Sequence, residues 1–184
     1  MPFSGMRFFV VLAVALAALQ APAAAPAESP TKLERRTTLE AEIMREVNSI
    51  RAGRGIRPLR AAPNLRGAAR AHSRAMLEHG FFGHDSMDGT AFSDRIKRYY
   101  TDRGWEMWSV GEALLANEGQ IDAKMIVVAW LDSPPHRELI LSPAWHDAGI
   151  GVMYTAMAPA AYGGAEAVVV TADFGLRDGK AGDS

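Results

Sequence analysis

The chain has 184 residues, 48% of them hydrophobic, with 20 Lys and Arg against 21 Asp and Glu for a formal net charge of -1. That composition excludes a disordered polyelectrolyte, and it excludes bulk electrostatic binding to nucleic acid, which needs a basic excess. The absence of cysteine excludes a disulfide framework and a lipid-modified cysteine, so the fold has to be held by its core alone.

Residues 1–27 read as a secretory signal peptide. Arg7 supplies the positive n-region, residues 8–19 form an unbroken apolar h-region, and Ala21-Pro22-Ala23 and Ala25-Pro26-Ala27 offer the small-x-small pattern of a cleavage site. The apolar run is too short for a membrane span. Cleavage would leave Ala24 or Glu28 at the mature N-terminus of a secreted or periplasmic protein. Residues 28–36, rich in proline and charge, read as a flexible linker. Residues 37–176 form one domain and 177–184 a C-terminal tail.

Within the domain, Thr37 and Glu40 have the spacing of a capping box, and Leu39, Ile43, Val47 and Ile50 mark one helical face, stopped by Gly53 and Gly55. A second helix is predicted over 63–79, with Leu65, Ala69, His72, Met76 and His79 on one stripe and Gly80 at its end. Residues 81–89 have no period and read as a loop, followed by a short helix marked by Phe92, Ile96 and Tyr99. A strand is predicted over 109–115.

Residues 121–131 are apolar on most sides, which predicts a deeply buried helix, and Ser133-Pro134-Pro135 breaks it. The prolines suit the first turn of another helix reaching Leu141. Strands are predicted over 149–154 and 167–174, and Pro159, Gly163 and Gly164 between them allow an antiparallel return. The result is an α+β fold, a small antiparallel sheet with helices on both faces.

Of the histidines, His72 and His79 sit on an apolar stripe and read as hydrogen-bonded core residues, while His146 lies in a turn. His84 and His136 differ, because each falls in a loop or at a helix start, where side chains converge on clefts. Glu112 stands in an apolar strand, where a carboxylate needs a partner. Spacing alone leaves open whether the three meet. The arginines at 51, 54, 57, 60, 66, 70 and 74 read mainly as a solvated face. Tyr99, Tyr100, Trp105 and Trp108 line a groove or pack into the core.

The run from Ala68 to Met76, then Phe81-Phe82-Gly83-His84-Asp85-Ser86, Asp88-Gly89, Arg95, Gly111-Glu112, Trp130, Ser133-Pro134-Pro135-His136-Arg137, Ile140-Leu141, Gly149-Ile150-Gly151-Val152 and Asp173-Phe174-Gly175 resembles the SCP-like domain of the CAP superfamily, in its bacterial YkwD-like branch. The resemblance implies a three-layer α/β/α sandwich with a central cleft. It also implies that His84, Glu112 and His136 occupy three places of a His/Glu tetrad. The fourth place falls on Ser133; Asp132 is adjacent, about 100° round a helix from it, which leaves open whether it substitutes, and Ala113 stands where relatives carry an Asn. Two imidazoles and a carboxylate can hold a divalent metal such as Zn²⁺, exchange protons, or brace a cleft. No serine or cysteine nucleophile is marked by its motif. The leading expectation is therefore a binding module for a lipid-like molecule or a cell-envelope component. A hydrolase using the same cavity is the alternative.

Overall fold

The computed structural model describes residues 32–180; the expected signal peptide, its cleavage sites and residues 181–184 of the tail lie outside the described residues. A mixed sheet has the strand order β1 (Glu34–Arg35), β4 (Asp147–Thr155), β5 (Ala167–Lys180), β3 (Trp105–Glu118), and β2 (Arg60–Ala61) also pairs with β4. All pairings are antiparallel except that of β2, which runs parallel to β4 over two residues. The expected linker thus ends in ordered structure at β1, and the expected tail begins inside β5. Two-residue strands carry no periodicity to read.

Helices cover both faces. On one, α1 (Thr37–Ala52), α4 (Ala123–Asp132) and α5 (Pro134–Leu141) bury Ile43, Val47, Ile126, Val127, Trp130 and Ile140 against even-numbered residues of β4 and β5. On the other lies α2 (Pro63–His79), with α3 (Phe92–Lys97) beside it. Here the contact is backbone to backbone. A Cβ on Gly149 would come within 2.0 Å of Arg66 N, and one on Gly151 within 2.3 Å of Arg70 N, so only glycine lets α2 lie this close.

Helix α2 begins at Pro63 and ends at Gly80 (φ 65°), as the proline and glycine dictate. Its stripe runs inward as far as Met76, but His79 is exposed. Helix α1 departs from its expected cap. Arg36 takes the N-cap position without a side-chain bond, and Glu40 turns inward, where it accepts from Arg70 Nε (2.8 Å) and Nη2 and from Val152 N (3.3 Å). A buried carboxylate gains more from a two-pronged guanidinium than from a solvated helix end.

Helix α4 also differs from expectation. It starts later, with Asp122 accepting from Met125 N at 2.8 Å, and one side carrying Met125 and Val128 faces outward. Nor are the arginines a uniformly solvated face. Arg51 is fully buried and donates to the carbonyls of Arg57, Ile140 and Ser142, while Arg60, Arg70 and Arg74 pair with Asp147, Glu40 and Glu78. Tyr100 and Trp108 belong to packing, with Tyr100 Oη donating to Asp147 (2.8 Å), Trp108 Nε1 donating to the Tyr100 carbonyl (2.7 Å) and Arg177 stacked on the Tyr100 ring.

Candidate functional site

The site is built around Glu112, which β3 points toward α2. Its side chain is completely buried, and each oxygen has its own donor: His84 Nδ1–H reaches Oε1 at 2.9 Å, and Arg95 Nη2 bonds Oε2. His72 approaches from α2, its Nε2–H donating to the Gly83 carbonyl at 2.9 Å while lying 4.0 Å from Glu112 Oε2. The fixed points therefore come from a strand, two helices and one loop.

That loop is held from both ends. Arg95 donates to the His84 carbonyl (3.2 Å), Phe92 N donates to Asp85 Oδ1 (3.1 Å), and Ser86 N donates to the Thr90 carbonyl (2.9 Å) around Gly89 at φ +81°. Tyr162 Oη bonds the Phe81 carbonyl. His84 is consequently presented on a stiff loop, with half of its side chain in solvent and the Phe92 ring beside it. His136 sits in the first turn of α5, half-buried.

The imidazoles are pushed apart in basicity. The bond to Glu112 raises His84 above the ordinary histidine value, against an opposing effect of burial. Burial lowers His136, and the nearby His84 lowers it further. His72 is lowered chiefly by burial and then by Arg95, so it is held neutral.

Of the residues singled out from sequence, His84 and Glu112 are in direct contact and His136 lies within electrostatic reach of His84. Asp132 and Ser133 are not drawn in. Asp132 is exposed at the end of α4, and Ser133 is extended (φ -88°, ψ 115°) at the start of α5 with no capping bond from its side chain. The carboxylate that does join Glu112 is Asp173, opposite it in the β3–β5 register and fully buried. An Asp inside a β-branched strand carried the same signal as Glu112, a carboxylate in need of a partner. Arg95 and Asp173 were legible only as parts of the family pattern, and His72 only as a core histidine.

Metal binding, one of the three roles open to this residue set, can be tested on the geometry. Among the described residues no group of three His, Cys, Asp or Glu could hold a metal ion. At Glu112 both oxygens are already engaged, Oε2 by the Arg95 guanidinium and Oε1 by His84 Nδ1. The residues do not fit a three-ligand zinc site.

Beside the cluster lies a cavity of about 370 Å³. It is lined by His72 and Arg95 of the cluster, by apolar Ala71, Ala75, Phe81, Met87 and Tyr99 and by polar His79, Ser86, Asp88 and Arg98, while His84, Glu112 and His136 do not line it. Met87 is 67% and Tyr99 44% exposed.

Comparison with known proteins agrees with this architecture. In Bacillus subtilis the uncharacterized protein YkwD is 30% identical over 112 residues, covering 61% of this chain and 41% of that protein. The uncharacterized membrane protein YlbC of the same organism is 29% identical over 116 residues, covering 63% and 32%. The chain thus spans less than half the length of these relatives. An outer surface protein from Borrelia burgdorferi superposes with a TM-score of 0.61 at 22% identity, covering 79% of this chain and 98% of that one. An extracellular protein containing an SCP domain from Bacillus anthracis gives 0.60 at 23% identity, covering 77% and 41%. The model of the cysteine-rich secretory protein (CAP) family matches residues 44–171, and the chain, although it has no cysteine, belongs to that family.

Proposed function

We propose that this chain is an exported binding module that takes a lipid-like, amphipathic small molecule, or an apolar feature of a cell-envelope partner, into the cleft beside His84, Glu112 and His136. The observation that supports the reading is the cavity next to this cluster, joined to it through His72 and Arg95, where apolar Phe81, Met87 and Tyr99 stand among polar His79, Asp88 and Arg98. Its volume of about 370 Å³ is in the range that holds a small ligand. Exposed Met87 and Tyr99, both in its lining, are side chains a folded domain gains little by displaying. Glu112, bonded on both oxygens, serves as a brace of the cluster.

Titration with a fluorescent polyene fatty acid tests the reading. Saturable one-to-one binding is expected, and Met87→Glu should weaken it about tenfold, or ~1.4 kcal/mol. A signal that rises linearly without saturation, or equal affinity in the variant, rejects it. Export is checked by sequencing the N-terminus of protein from the culture medium or periplasm. Ala24 or Glu28 is expected first, and an intact Met1 contradicts export with cleavage.

A second reading, a hydrolase, has one observation in its favour. A carboxylate-held, half-exposed His84 beside a His136 of lowered basicity is how an acid and a base are set apart in one cleft. Among the described residues no hydroxyl is hydrogen-bonded to either imidazole, so water would have to be the nucleophile. Turnover of ester or amide substrates that is lost in His84→Gln would favour this reading; no turnover in wild type would leave binding.

A further inference from the structure

Neither oxygen of Asp173 accepts a hydrogen bond from a conventional donor among the described residues. The residue stands opposite Glu112 across the β3–β5 ladder and opposite Gly149 on β4, on the face covered by α2. Directly opposed residues on one sheet face bring their side chains together, and two like charges so placed repel. Both side chains are sealed from water.

The charges facing this pair can be taken element by element. From α3, Arg95 supplies one guanidinium, whose bonds go to Glu112 and to the His84 carbonyl, while its Nε and Nη1 are left unpaired. From α2, His72 gives its Nε2 proton to Gly83 and is neutral. From the loop, His84 binds the far oxygen of Glu112. From β4 there is only Gly149. One fixed cation thus faces two carboxyl groups, and the carboxylate bonds that Arg95 and His84 make both go to Glu112.

We infer that Asp173 and Glu112 share a single negative charge, with the proton on Asp173, so that Asp173 is a neutral donor to Glu112 and a positioning residue for the His84–Glu112 contact. The alternative leaves an uncompensated charge in the core, which costs far more than protonating a carboxylate. Burial first, and the neighbouring Glu112 second, move Asp173 well above the usual carboxylate range. The inference holds whichever ligand or reaction the cleft serves.

Carbon-13 carboxyl NMR of the folded wild-type protein, labelled at Asp Cγ and assigned through its own backbone, reads the state directly. The Asp173 resonance should sit at the neutral-acid position at pH 7 and stay there down to pH 4, where exposed aspartates have begun to move. An Asp173 resonance at the ionised position at pH 7 overturns the inference. Asp173→Asn gives a second readout. It keeps a hydrogen-bond donor and removes no charge, so the His84 pKa followed by ring NMR should change by less than about 0.3 unit. If Asp173 were ionised, the same substitution would remove a nearby negative charge and lower the His84 pKa by at least half a unit.

Discussion

His84 and His72 respond to pH in opposite senses across the same window. The folded pKa of His84 is raised, so its contribution to stability is fully present below about 6.5, its unfolded value, and is lost as pH rises through the folded value. His72 is lowered. Below about 6.5 the unfolded chain takes up a proton that the folded site refuses, and stability falls with pH. Urea denaturation at pH 5 and pH 7.5 should therefore show His72→Gln less sensitive to acid than wild type, and an unchanged difference would mean that His72 is not kept neutral. Ring NMR should find His84 titrating above the ordinary histidine range, and Glu112→Gln should lower its pKa by removing the charge that raises it. At this scale the sequence was a partial guide. His84 and Glu112 could be picked out because each is out of place in its surroundings, a histidine in a loop and an acid in an apolar strand. Spacing could not show that Asp173, from a strand 61 positions later, is the second carboxyl, while Asp132 next to the tetrad position points to solvent.

Among the elements, helices with punctuation at both ends were the most readable. Pro63 and Gly80 bound α2, and the paired prolines start α5 after Ser133. Elements were misjudged where a tertiary partner outbid a local signal. Glu40 had the right spacing to cap α1 but is claimed by Arg70 from another layer. The apolar composition of α4 exceeds what its packed face requires, since Met125 and Val128 remain exposed. Trp130 anchors that packed face at 1% exposure, with its Nε1–H given to the Leu114 carbonyl at 3.0 Å. Trp130→Ala should cost roughly 3–5 kcal/mol in a denaturant titration, as a truncated core aromatic does. A loss under about 1 kcal/mol would mean that α4 does not depend on this anchor.

The order of the layers followed from patterning, because short apolar strands flanked by amphipathic helices admit few arrangements. How the layers are fastened did not, because the fasteners are arginines whose partners are distant in sequence. Arg70 of α2 holds Glu40 of α1 from across the sheet, and within one layer Arg51 ties the end of α1 to the end of α5 through the Ile140 and Ser142 carbonyls and also bonds the Arg57 carbonyl. Arg51→Met keeps its volume but leaves those acceptors unpaired, and should cost on the order of 3 kcal/mol by the same titration. A neutral result would mean that water replaces the guanidinium. The bare backbone of Gly149 and Gly151 has a consequence that reaches the cleft. Because α2 rests directly on these two residues, they set the height at which the helix carries His72 above the sheet. A single added methyl would act as a shim. Gly149→Ala would lift one end of the helix, draw His72 off the Gly83 carbonyl, and detune the charged cluster without altering any residue that belongs to it.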